Sequence, residues 1–273
     1  MNDITIKFAS KTDINQLKNI FSICFKDDDN FINDFFLTLF LPTNTVVAAI
    51  GEKIVGASYL IKADFNKKQG FYGYAVAVLP EYRNRGFCRQ MQQYILNYCK
   101  SKGKQYILAP AETSLFSYYK SIGITEVFYI KKVTFDNLES LEQANFAEVR
   151  GDEYFRMRKK NFSNCAFVSL NKKATIFAIN DIKRNGFALK SSINGELCAA
   201  LGKIDDSKLL ITELIASQPN IKPFLNVLAA NFNKTKAEVL FPKNNPYNGK
   251  ILPFALGYNV FSHENAYFNI KID

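Results

Sequence analysis

The sequence predicts an α/β (α+β) fold, a mixed and mostly antiparallel sheet flanked by helices, in which one order of elements occurs twice. Three observations predict it. Segments with two-residue apolar alternation are interspersed with segments of helical periodicity. Between residues 76 and 102 an apolar strand runs into a prolyl, arginine-rich turn and then into an amphipathic helix. The chain has 273 residues, 48% hydrophobic and 22% charged, which is enough for two ordinary domains with cores of their own. The expected domains are 1–135 and 136–273.

In chain order, DITIKFA at 3–9 alternates apolar and polar residues as an opening strand. Thr12 or Asp13 then caps a helix reaching about Phe25, with Ile14, Leu17, Ile20, Phe21 and Cys24 on one apolar stripe. KDDDN at 26–30 leads into a second helix, FINDFFLTLF; its three aspartates either serve the helix dipole and solvation or draw a cationic amine. Residues 45–50 and 53–65, joined by Gly51 and Glu52, form a hairpin. Asn66–Gly70 is a loop before the strand at 71–79. A helix at about 87–102 stops at Gly103, and QYILA at 105–109 is a buried strand closed by Pro110. Residues 112–122 form a short helix ended by Gly123, and ITEVFYIKKVTF supplies the last strand or strands.

The stretch 136–152 is more polar than its flanks and reads as a linker or surface helix. Helices near 152–162 and 172–184 follow, then a hairpin with Asn194 and Gly195 at its tip and the strand LLITELIA. A helix at about 220–233, the strand AEVLF at 237–241, and Gly257–Tyr258 before a terminal strand repeat the order of the first half. The rival reading of this half is an unrelated α+β substrate domain.

The chemistry concentrates in VAVLPEYRNRGFCR, residues 76–89. Gly86 lets the backbone bend so that several main-chain N–H groups converge on one acceptor. The helix starting near Phe87 adds unpaired first-turn donors and its positive dipole end, and Arg83, Arg85 and Arg89 add fixed charge. A pyrophosphate fits such a turn.

The run RNRGFC, together with VAVLPEYR before it and SYYKSIGI about 30 residues on, resembles the GCN5-related N-acetyltransferase (GNAT) family over roughly residues 3–135. The family's loop reads Arg or Gln, two variable residues, Gly, one variable residue, then Gly or Ala; here Cys88 stands last. The resemblance implies the GNAT acyl-CoA N-acyltransferase fold, acetyl-CoA as cosubstrate, and direct acetyl transfer to a primary amine of an unidentified acceptor. It also implies that Arg83, Asn84, Arg85, Gly86, Phe87, Cys88 and Arg89 hold the diphosphate, and that main-chain groups of Val76, Ala77 and Val78 pair with the pantetheine arm. A backbone N–H near Val78 would polarise the thioester carbonyl, and Tyr119 would return a proton to the departing thiolate. The bland alternatives are a plain core strand and an aromatic packed with Leu115, Phe116 and Ile122, and Tyr118 is a neighbour offset by one. Many members carry an asparagine seven residues before that tyrosine; this chain has Glu112, either a base or a binding group for the amine, or a solvent-facing residue at a helix N-terminus. Glu81 and the chain-end Asp273 are weaker bases. The second half lacks an arginine–glycine turn, having SQPN at 217–220, so it resembles a degenerate GNAT copy that shapes the acceptor site of a tandem enzyme.

Composition narrows the alternatives. Cysteines at 24, 88, 99, 165 and 198 have no CxxC spacing, which argues for a reducing compartment and against a disulfide framework or zinc knuckle. His263 is the single histidine, so histidine triads and multi-histidine metal sites are excluded and no metal is expected. The N-terminus lacks an apolar signal core and no apolar run is long enough to span a bilayer, so a cytoplasmic protein without membrane attachment is expected. The net charge is +10, and both halves are basic: 17 basic against 11 acidic residues in 1–135, and 18 against 14 in 136–273. That balance suits a polyphosphate ligand, nucleic acid or an anionic surface, against the bland reading of solvated lysine faces, and no basic stripe interleaved with aromatics points to nucleic acid. Two competing functions remain: a non-catalytic acyl-CoA-binding or regulatory protein, and a tRNA-dependent aminoacyltransferase of the same fold.

Overall fold

The computed structural model describes residues 4–139, 144–163, 165–260, 266–270 and 272. His263 and Asp273 lie outside them. The elements in order are β1 (Ile4–Phe8), α1 (Ile14–Phe25), α2 (Asp29–Thr38), β2 (Thr45–Ile50), β3 (Lys53–Phe65), β4 (Lys68–Val78), α3 (Phe87–Ser101), β5 (Gln105–Leu108), α4 (Leu115–Lys120) and β6 (Glu126–Phe135). They continue with β7 (Ala147–Glu148), α5 (Gly151–Asn161), β8 (Val168–Leu170), α6 (Lys172–Arg184), β9 (Phe187–Ile193), β10 (Glu196–Ile204), β11 (Leu209–Ile215), α7 (Ile221–Asn231), β12 (Ala237–Pro242) and β13 (Lys250–Tyr258).

The described chain divides into two compact units. The first takes in residues 4–127, 169–174 and 255–260. In it β1, β2, β3 and β4 form an antiparallel meander, and β4 then pairs in parallel with β5 after the α3 crossover. The outer edge of β5 is closed by the far end of the chain, Leu256–Tyr258 pairing antiparallel with Leu108–Tyr106. Met91, Ile95 and Cys99 of α3 are buried against Leu60, Phe71 and Tyr106. On α1 and α2, Phe21 and Phe35 stack with Tyr59 and Tyr74 at ring separations of 5.0–6.1 Å.

Local expectations differ at four places. The first helical turn begins at Ser10, whose N–H donates to the Asp13 carboxylate at 2.7 Å, so Asp13 closes a 3-10 turn and neither it nor Thr12 caps α1 through its side chain. The expected loop at 66–70 is a two-residue turn with Asn66 and Lys67 both left-handed, a hairpin geometry that lets pairing resume at Lys68. The helix expected over 112–122 is confined to Leu115–Lys120. Gly257 and Tyr258 end β13, and among the described residues no strand follows them.

The second unit contains residues 128–139, 144–163, 165–168, 175–254, 266–270 and 272. Its hairpin β9–β10 turns at Asn194 and Gly195, both left-handed. β10 and β11 are antiparallel, β11 and β12 are parallel across α7, and residues 130–135 of β6 pair antiparallel with β12. At its centre Arg158 and Glu213 form a buried ion pair (2.8 Å), joined by the Tyr154 hydroxyl donating to Glu213 at 2.9 Å.

Candidate active site

The first unit holds a cavity of about 610 Å³ at the C-terminal end of β4. Its shape begins in the strand. Pairing of β4 with β5 ends at Gly73 and Leu108, although β4 continues to Val78. On its other side the register with β3 slips, Ala57 facing Ala77 but Tyr59 facing Tyr74, so two residues of β4 stand against Ser58. Ala75 takes a left-handed φ of 48° in this bulge, a conformation that costs a non-glycine residue about 1–2 kcal/mol. The bulge redirects Val76, Ala77 and Val78, which line the cavity on the side that β5 has left.

The turn after β4 forms the next wall. Pro80–Tyr82 make a 3-10 turn, and Asn84 and Gly86 adopt φ of 62° and 78° on either side of Arg85. A Cβ at Gly86 would meet no atom within 4 Å, so the space over this backbone is open to a ligand. The first intrahelical bond of α3 runs from Gln90 N–H to the Gly86 carbonyl, and no side chain caps the helix, leaving the N–H groups of Phe87, Cys88 and Arg89 without helical acceptors. Arg83, Asn84, Gly86, Phe87, Cys88 and Arg89 all line the cavity. Arg85 does not: its Nη2 donates to the Glu81 carbonyl at 3.0 Å and its guanidinium lies over the Tyr82 ring, 5.3 Å from the centroid. Arg83 is steered by Nε donating to the Val78 carbonyl at 3.1 Å, where the Cys24 thiol also points at 3.6 Å.

The opposite wall comes from α4 and the turn before it. Tyr119 is buried and Tyr118 half-buried, their rings 5.3 Å apart, and both line the cavity beside Cys88. Burial, followed by the nearby Cys88 thiol, pushes the Tyr119 phenol well above its ordinary value, so it keeps its proton. Burial likewise raises Tyr118. Burial raises the Cys88 thiol too, against the lowering effect of the two hydroxyls, so it is held neutral. Glu112 lines the cavity from an exposed turn, its carboxylate accepting from the Ser114 hydroxyl at 3.1 Å. Glu81 is exposed and 3.8 Å from Lys53. In the aspartate run, Asp28 accepts from the Phe31 N–H at 2.9 Å and caps α2, while burial and then Asp28 raise Asp27. Sequence reasoning missed Cys24, Phe25, Tyr82 and Leu115 as lining residues. Only the helical stripe of α1 hinted at Cys24.

Residues 5–127 match the family model described as an acetyltransferase (GNAT) domain. That stretch, 123 of the chain's 273 residues, is similar to the acetyltransferase (GNAT) domain. Solved structures reach beyond that stretch, each matched over 93% of this chain. A conserved protein from Enterococcus faecalis V583, described as of unknown function and a probable N-acyltransferase, superposes with a TM-score of 0.72 at 13% identity, covering 72% of its length. GCN5-related N-acetyltransferases from Anabaena variabilis (0.69, 14%, 72%) and Kribbella flavida (0.67, 13%, 70%) are similar in the same measures. No curated protein sequence matches. At these identities the likeness shows the fold. The match over residues 5–127 supports acyl-CoA-dependent acyltransferase activity in general terms. Among the described residues no group of His, Cys, Asp and Glu could hold a metal ion, and no helix is long and apolar enough to cross a membrane.

Proposed function

We propose that this GNAT-fold chain is an acetyl-CoA-dependent N-acetyltransferase that passes the acetyl group directly to a primary amine. The observation that carries the reading is the continuity of one cavity from the freed end of β4, across the open backbone at Gly86, to Tyr119. The residues fit the cosubstrate: the N–H groups opening α3, with Arg83, Asn84 and Arg89, would hold the diphosphate, and Val76–Val78 would pair with the amides of the arm. Cys88 replaces the usual glycine or alanine without closing the cavity that it lines.

Acetyl-CoA supplies an activated acetyl thioester. A main-chain N–H near Val78 orients and polarises the carbonyl to be attacked. Tyr119 holds a proton on Oη at neutral pH for the departing sulfur, and Glu112, at the mouth, is the carboxylate available to take one from the amine. Residues 1–135 act as the catalytic domain and 136–273 as a degenerate GNAT-like domain shaping the acceptor site. The repeat of an antiparallel meander, a helix and a parallel strand supports that division. In the second half the start of α7 offers no open cradle: the Glu196 carboxylate accepts from the Ser217 N–H at 2.8 Å and the Asn220 side chain at 2.5 Å.

Calorimetry with acetyl-CoA, comparing wild type with Gly86→Val, tests the reading. Saturable binding that the variant loses supports it and justifies an amine screen. A wild type that ignores acetyl-CoA refutes it, and salt-sensitive tRNA binding in its place would move the chain to aminoacyl transfer. Tight binding without turnover on any amine would make it an acyl-CoA-binding regulator.

A further inference from the structure

The cradle arginine that follows Cys88 is tied to the helix that carries the tyrosines. Arg89 Nη2 donates to the Ser121 hydroxyl at 2.9 Å, and Nη1 reaches the Ser121 carbonyl at 3.4 Å. The Ser121 hydroxyl itself donates to the Tyr118 carbonyl at 2.7 Å, in the last turn of α4. The same helix end carries the amides of Ser121 on Ser117, and of Ile122 and Ile124 on Tyr119. Arg89, Ser121 and the C-terminal turn of α4 thus form one connected chain of hydrogen bonds. Without it, α4 is a six-residue helix, too short to hold its own geometry.

Guanidinium has five N–H donors, of which Ser121 takes two, one on each terminal nitrogen. The edge containing Nε remains for an anion at the start of α3, where Arg89 lines the cavity. The cation also faces the negative end of α4, a placement that favours both partners. Neither contact requires the other to break.

Resting on the acetyltransferase reading, we infer that Arg89 and Ser121 are a positioning clamp: an anion held at the start of α3 fixes Arg89, Arg89 fixes Ser121, and Ser121 sets α4 and the Tyr119 hydroxyl over the cavity. Ser121 is a positioning residue and touches no reacting atom.

Backbone hydrogen exchange on the full chain tests this with and without CoA, in wild type, Ser121→Ala and Ser121→Thr. In the free protein, Ser121→Ala is expected to speed exchange over 117–124 by about ten-fold or more, the loss of the hydroxyl's bonds with Arg89 and with the Tyr118 carbonyl, with 91–99 unchanged and Ser121→Thr restored to wild type. CoA is expected to slow exchange both at 87–90 and at 117–124 in wild type, but only at 87–90 in Ser121→Ala. With an acceptor in hand, Ser121→Ala lowers kcat about ten-fold and leaves KM for acetyl-CoA within about two-fold. Unchanged exchange at 117–124 in the free variant overturns the clamp. Equal slowing there by CoA in both proteins overturns the coupling. CoA that protects nothing in wild type overturns the coupling and the acetyltransferase reading together, while the free-protein comparison still decides the clamp.

Discussion

Replacing Gly73 with alanine should damage the first unit more than any surface change, and the structure says by how much. A Cβ at this position would lie 2.0 Å from Tyr106 Oη and 2.6 Å from its Cζ. Tyr106 is fully buried, and its hydroxyl donates to Gln92 Oε1 at 2.9 Å, itself fully buried. The ring cannot retreat into space packed by Met91, Ile95 and Leu108. Overpacking of this kind costs about 1–3 kcal/mol. Displacing the hydroxyl adds about 1–3 kcal/mol, because Gln92 Oε1 then has no partner and its Nε2 already has none. A loss of about 3 kcal/mol corresponds to a fall in Tm of roughly 5–10 °C. Urea unfolding followed by far-UV circular dichroism measures it, with Tyr106→Phe and the double variant completing a cycle. The two changes should couple by at least about 1 kcal/mol, since removing Oη removes the shortest contact. A Gly73→Ala protein within about 0.5 kcal/mol of wild type would refute the argument, and additive changes would show that Tyr106 is not what the new methyl meets.

Other expectations follow from the same geometry. Tyr119→Phe should bind acetyl-CoA as wild type does yet lose about 10²–10⁴ in kcat, and unchanged turnover would end its assignment as the acid. Glu213→Gln, which strands the buried Arg158 charge, should cost about 3–5 kcal/mol in denaturant titration; a cost below 1 kcal/mol would contradict the buried pair. Burial works to raise Glu196, but the bonds from Ser217 and Asn220 outweigh it and hold its carboxyl below the usual range. Its contribution is therefore complete above the unfolded value of about 4.3 and is lost as pH falls through the lower folded one, so Glu196→Gln should flatten the acid limb of a stability–pH curve. An unchanged acid limb would deny Glu196 that role. Burial pushes Cys99 and Cys198 to about 12 and Cys165 to about 11, so a thiol reagent at pH 8 should label them only after unfolding.

What could be read from the residues was what depends on near neighbours. The hairpin at Gly51, the turn at Asn194–Gly195 and the passage from β4 through Gly86 into α3 each rest on a few adjacent side chains, and each lies where the pattern put it. Eleven of the fourteen candidate site residues named from sequence line one cavity; Arg85 and Glu81 do not, and Asp273 lies outside the described residues. Arg85 escaped because a guanidinium chooses among nearby acceptors and rings, and the Glu81 carbonyl and Tyr82 were nearest. Cys24 and Phe25 reach the cavity through the packing of α1 against β3 and β4, which no local pattern records. The bulge at Ala75 was invisible because alanine gives no sign of a left-handed backbone. Gly73 reads as a weak point in a strand until Tyr106, more than thirty positions on, is known to lie across it.

The closure of β5 by Leu256–Tyr258 sets a timetable for making this protein. These partners are separated by about 150 residues, so joining them carries a loop-closure cost near 4–5 kcal/mol that local contacts must already offset. At ribosomal rates β5 waits roughly 10–30 s for its neighbour to emerge. During that interval the hydrophobic strand QYIL presents an open edge to whatever else is being synthesised nearby. Yield in the cell should therefore depend on a chaperone that shields strand edges, and a chain cut short before residue 255 would keep that edge uncovered for its whole life.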